Sequence, residues 1–207
     1  MPNSYAPTAV DPASALIRLR EGNRRFVMGE GRATRSWHPG LADGQSPFAV
    51  ILGCADSRAP AEYVFDQGLG DLFVIRVAGN IVAPSLIGSV EFAAGKFGTR
   101  LVVVMGHTKC GAVGATVEAL EGGKPNSPNI QSIVKRITPH LEAMPPTPGG
   151  DREARMNEAV RVNALASAAE LRRSSPILRE FVECGRVVIV AAVFDLATGV
   201  VTFLDQE

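Results

Sequence analysis

Two short motifs carry the side chains best suited to chemistry. Cys54-Ala-Asp-Ser-Arg58 offers a thiol, a carboxylate and a guanidinium, and His107-Thr-Lys-Cys-Gly111 offers an imidazole and a second thiol. Two thiolates and one imidazole are donors of the softness zinc prefers, and three protein ligands leave the fourth tetrahedral position for water or substrate, as in a catalytic site. The spacing of His107 and Cys110 lets both reach one ion if they stand where a strand runs into a helix. Gly111 allows the backbone to come close to whatever occupies the site, and the helix that follows would point its positive end at a metal-bound thiolate. Asp56 could bind the metal or accept a proton from its water, with Arg58 holding the carboxylate bidentately. Taken singly, each feature has an ordinary reading: a cysteine at a strand end is a small core residue, and Asp56 with Arg58 is a surface ion pair. Their placement together favours a metal site.

That placement depends on the surrounding elements. Residues 48–53, 72–77, 101–106 and 187–193 are short, almost wholly apolar runs, the pattern of strands covered on both faces in a parallel sheet. Helical segments fall between them near residues 85–96, 111–120, 130–141 and 153–173, so the chain alternates strand and helix in βαβ units. Residues 195–199 form a turn signal, and the alternation over 200–204 predicts a last strand closing an antiparallel hairpin. Residues 12–28 space Ala15, Leu16, Leu19 and Phe26 as an amphipathic helix does. Residues 29–46 and 144–150 read as loops. The expected fold is α/β: a mainly parallel central sheet of four strands plus a C-terminal antiparallel strand, with helices on both faces. Residues 1–207 are expected to form a single domain, with an N-terminal helical arm over residues 1–30. The first motif begins where the first strand ends and the second where the third ends. Both therefore lie at the sheet edge where open α/β folds collect ligands, and they meet if those two strands are neighbours.

Composition narrows the function. With 207 residues and 46% hydrophobic content the chain can bury a sizeable core. Lys and Arg balance Asp and Glu at 21 each, so no net field draws it to nucleic acid or to an anionic membrane. No cationic start followed by an apolar stretch marks a secretory signal, and no run is long enough to span a bilayer. Three cysteines do not suggest a disulfide framework. A cytoplasmic enzyme acting on a small molecule is the expectation, with Cys184 a structural residue.

The pairing of Cys-x-Asp-x-Arg with His-x-x-Cys-Gly resembles the β-class carbonic anhydrases. The likeness extends from residues 16–26 through Phe73-Val-Ile-Arg76 and Gly106-His-Thr-Lys-Cys-Gly-Ala112, and residues 187–195 look like that family's last parallel strand. It implies one zinc per chain on Cys54, His107 and Cys110, an Asp56–Arg58 dyad, and reversible hydration of carbon dioxide to bicarbonate and a proton by hydroxide on the metal. Gln45 matches the family's glutamine that hydrogen-bonds bicarbonate, and the Gly111 amide would do the same. Phe73 and Ala78 match apolar positions of the substrate pocket, and Phe92 stands where some members have tyrosine, so that hydroxyl is missing. The resemblance also implies a homodimer or dimer of dimers, the helical arm packed on the partner and the sites near the interface. Ile51 replaces the tryptophan with which allosteric members bind a second bicarbonate, so no such regulatory site is expected. His38 and His140 are candidates for exporting the proton, each with the simpler reading of a surface histidine. Relatives on this scaffold hydrolyse carbonyl sulfide or carbon disulfide, which the motifs do not separate from hydration. A non-catalytic zinc module, with Asp56 as a permanent fourth ligand, is the reading furthest from an enzyme.

Overall fold

A computed structural model of the chain describes residues 9–31, 37, 39–123, 127–142, 144 and 151–204. The sheet consists of β1 (Ala49–Gly53), β2 (Leu72–Arg76), β3 (Leu101–His107), β4 (Val188–Phe194) and β5 (Val201–Phe203), in the order β2-β1-β3-β4-β5. β1 runs parallel to both β2 and β3, β3 runs parallel to β4, and only β5 is antiparallel. The helices are α1 (Pro12–Val27), α2 (Ala61–Val64), α3 (Pro84–Lys96), α4 (Gly111–Leu120), α5 (Pro128–Leu141), α6 (Arg152–Ser174) and α7 (Pro176–Glu183).

The strands lack polar alternation because both faces are covered. Ile51, Val103, Met105 and Ala192 enter one apolar cluster with Leu16 and Leu19 of α1, while Val50, Leu52, Val104 and Ala191 enter another with Ala164, Ala168 and Leu171 of α6. Successive residues pass to opposite faces, and each face finds a helix. A third cluster, beyond the carboxyl ends of the strands, joins Cys54 and Cys110 to Val113, Ile137 and Val160.

The N-terminal arm is anchored in its own chain. Asp11 caps α1 through Ser14 N, and buried Asn23 donates from Nδ2 to the carbonyls of Val64 and Gly199 while its Oδ1 accepts from Val201 N. Arg25 pairs with the buried carboxylate of Asp66 at 2.5 Å, and Arg18 pairs with Asp71 at 2.9 Å. Sequence periodicity did not reveal α2 or the short 3-10 turns Pro39–Asp43 and Ala78–Asn80, since elements under about two turns leave no pattern to detect. No described helix is long and apolar enough to cross a membrane.

Candidate metal centre

Strand order reverses between β1 and β3. From β1 the chain moves outward to β2, then crosses back to place β3 on the other side of β1. This reversal opens a crevice at the carboxyl ends of the two central strands. Cys54 follows the last residue of β1, His107 is the last residue of β3, and Cys110 is the N-cap of α4. Gly53 is in register with Met105, so the two strands end side by side.

The three donor atoms lie within 4.8 Å of one another and the three residues are buried. The Cys54 and Cys110 sulfurs are 4.0 Å apart; a tetrahedral ion with bonds of about 2.3 Å to sulfur would hold them roughly 3.8 Å apart. His107 is fully buried, and its Nδ1–H donates to the Thr108 carbonyl at 2.9 Å. That bond fixes the tautomer and leaves Nε2 as a lone pair, and Nε2 is a buried atom without a hydrogen-bond partner. A buried lone pair beside two thiols fits a borderline-soft cation, and so does the donor set. The turn after β3 is itself pinned: Thr108 N donates to Phe194 O, its hydroxyl accepts from Leu196 N, and Lys109 sits at a φ of 58°.

The thiols share their proton unequally. A hydrogen bond from Cys110, helped by His107 and the Gly79 amide and opposed by burial, brings Cys54 down to about 4. Cys110 is pushed up, first by holding that proton against the Cys54 thiolate and then by burial. Burial lowers the affinity of His107 for a proton, but the adjoining Cys54 thiolate outweighs it and the net direction is upward. One thiolate is thus prepared for a cation, and metal entry must release the remaining protons.

Asp56 is turned toward Arg58. The guanidinium donates from Nε to Oδ1 at 2.9 Å and from Nη2 to Oδ2 at 2.7 Å, and the Arg58 amide adds a third bond. These bonds hold the Asp56 carboxyl far below the usual carboxylate range. Its Oδ2 remains 3.9 Å from His107 Nε2. Arg76, at the end of β2, braces the same loop through the carbonyls of Cys54 at 3.0 Å and Asp56 at 2.5 Å. The sequence reading gave Arg76 no role. The available signal was a charge ending an otherwise apolar strand.

The family model described as carbonic anhydrase matches residues 49–201. The chain belongs to the β-class carbonic anhydrase family. Carbonic anhydrase 2 of Mycobacterium tuberculosis is 37% identical over 209 residues, covering 96% of this chain and 93% of that protein. The carbonic anhydrase of Pseudomonas aeruginosa is 30% identical over 191 residues, covering 89% and 86%. Among solved structures, the fold matches a tetrameric β-carbonic anhydrase of Sordaria macrospora with a TM-score of 0.71 at 21% identity, covering 90% of this chain and 94% of that one. It also matches the Coccomyxa β-carbonic anhydrase in complex with acetazolamide with a TM-score of 0.72 at 22% identity, covering 89% and 83%.

The positions expected in the substrate pocket of this carbonic anhydrase separate into two groups. Ala78 and Gly111 adjoin the trio: Ala78 precedes Gly79, whose amide donates to Cys54 Sγ at 3.4 Å, and Gly111 follows Cys110. A Cβ on Gly111 would meet nothing within 4 Å, and a cleft of about 570 Å³ opens beside it, lined also by Met156 and Asn157. Gln45, Phe73 and Phe92 lie elsewhere. Gln45 is exposed before β1 begins, so the strand alone separates it from Cys54 by about 16 Å. Phe73, opposite Val50 in β2, packs with Phe92 and Phe97 at ring separations of 6.3 and 5.9 Å. Ile51 is wholly buried in the core. Cys184 is exposed, its thiol 3.6 Å from the Phe181 carbonyl. His38 lies outside the described residues. His140 is a largely buried side chain bonded within the fold rather than a plain surface histidine.

Gly79 is required by geometry. It stands at φ 72°, and a Cβ there would lie 2.8 Å from Ile137 Cδ1 and 3.0 Å from Ala112 Cβ. Gly79→Ala should cost about 1–3 kcal/mol through overpacking and backbone strain, lowering Tm by roughly 2–4 °C per kcal/mol, with weaker retention of zinc. Thermal unfolding with metal analysis is the measurement. An unchanged Tm would show that α5 yields freely at Ile137.

Proposed function

We propose that this chain catalyses the reversible hydration of carbon dioxide to bicarbonate and a proton, with one zinc ion held by Cys54, His107 and Cys110. The observation carrying the proposal is the buried, unpartnered Nε2 of His107 beside two thiols at the strand-order reversal. Zinc in such a set supplies the ionisation of water near neutral pH, lowering its pKa from about 15.7 to near 7. The residues of the chain then have distinct tasks. Cys54 and Cys110 bring negative charge to the cation, and the Thr108 carbonyl keeps His107 in the ligating tautomer. Arg58, by binding the Asp56 carboxylate bidentately, would keep it from a metal held by the trio. The Gly111 amide, at the start of α4, is available to a bicarbonate oxygen. Ala78 contributes an apolar wall for carbon dioxide.

Gln45, Phe73 and Phe92 act in this reading from a second copy of the chain, because β1 holds Gln45 at the far edge of its own sheet. A homodimer, or a dimer of dimers, with sites at the interface meets that requirement. The described cysteines are unbridged, in keeping with a cytoplasmic location.

The gate at Asp56 has a direct test. Arg58→Ala should keep its zinc but lose about 10- to 100-fold in hydration rate at neutral pH, as the freed carboxylate occupies the fourth position. Asp56 is already anionic well below neutrality, so its own protonation does not change across the working range. With zinc bound, a rise in pH would favour hydroxide over the Asp56 carboxylate. The rate should therefore climb with pH in the wild type, and the climb should move to higher pH in Arg58→Ala. Stopped-flow rates between pH 6 and about 9 read both effects. An Arg58→Ala profile matching the wild type would remove the arginine from the gate.

A further inference from the structure

Asn163 is fully buried in α6, where an amide is costly unless its groups are bonded. Its Nδ2 donates to the Gly79 carbonyl at 3.0 Å, and its Oδ1 lies 2.9 Å from His140 Nδ1. A carbonyl can only accept, so the NH₂ group must face Gly79 and the oxygen must face His140; His140 Nδ1–H is therefore the donor. On the outer side, His140 Nε2 is 3.3 Å from Glu170 Oε2, seven residues beyond Asn163 on the same helix, and this contact is a bond when the imidazole carries both protons. Both residues border a cleft of about 540 Å³ that also takes in Lys135, Arg136 and Arg173. On the inner side, the amide of Gly79 donates to Cys54 Sγ at 3.4 Å.

These bonds form one chain, from Glu170 through His140, Asn163 and Gly79 to the Cys54 sulfur. It does not conduct protons, because an asparagine amide and a peptide group do not titrate near neutral pH. We infer that Asn163, held in place by His140, is a positioning residue for the metal thiolate. The Gly79 carbonyl and N–H belong to successive peptide groups joined at the Gly79 Cα, so by holding the carbonyl Asn163 limits rotation of the turn that presents the N–H to the Cys54 sulfur. Partners outside a ligand set tune a metal in this way. The inference rests on the zinc centre proposed above.

Asn163→Leu keeps the branched outline of the side chain and removes both bonds. In the zinc-loaded protein it should speed metal release to a chelator by about 10- to 100-fold. In the cobalt-substituted protein the thiolate-to-metal charge-transfer band should move to longer wavelength, because a sulfur without its hydrogen bond gives up an electron more easily. His140→Ala should shift both readouts in the same direction by less. His140→Asn, which returns a donor near the Nδ1 position, should restore release to within about twofold of wild type. A folded Asn163→Leu protein with wild-type release and an unmoved band would overturn the inference. If that variant fails to fold, His140→Ala decides by the same two readouts. Wild-type protein that retains no zinc would overturn the metal centre and this inference together, whereas zinc-loaded wild type with indifferent variants overturns this inference alone.

Discussion

His107→Ala should purify with little zinc and no measurable carbon dioxide hydration, and Cys54→Ser should do the same. Each change leaves two donors where three are needed. In His107→Ala the remaining pair is two sulfurs 4.0 Å apart, with Cys110 favouring its proton. A ligand set of this kind also contributes to folding when the metal is bound, so both variants should unfold at lower temperature than the zinc-loaded wild type. Cys184→Ser is the control, since that thiol is exposed and bonded only to the nearby Phe181 carbonyl among the contacts described. It should keep one zinc per chain and full turnover. Metal analysis alongside stopped-flow hydration reads all three proteins. A His107→Ala protein with stoichiometric zinc and wild-type turnover would refute the site.

Gln45→Ala should retain zinc and lose roughly 100- to 1,000-fold in rate, about 2.7–4 kcal/mol, the effect of removing one donor from a site that stabilises developing negative charge. The length of β1 adds a sharper test. If Gln45 serves the site of the other copy, a hybrid dimer of one Gln45→Ala chain and one His107→Ala chain contains one site with neither lesion and one with both. Such hybrids should recover activity well above that of either parent. If Gln45 served its own chain, both sites of the hybrid would be damaged and nothing would be recovered. Co-expression with two affinity tags isolates the hybrid. An inactive hybrid would place Gln45 with its own trio, against the geometry of β1.

The parts of the fold legible in the sequence were those with a strong period or a clear boundary. The apolar run 101–106 became Leu101–His107, and residues 111–120 became Gly111–Leu120. The hairpin at 195–204 formed because Asp195 caps its own turn through the amides of Ala197 and Thr198. The neighbourhood of the first and third strands could only be stated as a condition, and the register of Gly53 with Met105 meets it. What stayed hidden acts across long separations without a periodic signature. Asn163 looks like one more polar residue on a helix until Gly79 and His140 are placed against it. Arg76 looks like a strand terminus until the Cys54 and Asp56 carbonyls turn toward it. Gln45 matched a family position, and the strand read over residues 48–53 already stood between it and Cys54; what the likeness did not convey was the reach across that strand.

Asn23 gives the molecule an order of assembly. Its bonds join the first helix to Gly199 and Val201, residues 176 and 178 positions further along the chain. During synthesis α1 precedes these partners by that separation, so Asn23 must wait for them with only its bond to Val64 within reach, even after residues 48–65 can cover Leu16 and Leu19. Contacts of such separation are slow to form because the intervening loop must close before any of their energy is gained. Until then α1 is only partly held, which makes it the natural place for a chaperone to hold the nascent chain and for premature aggregation to begin.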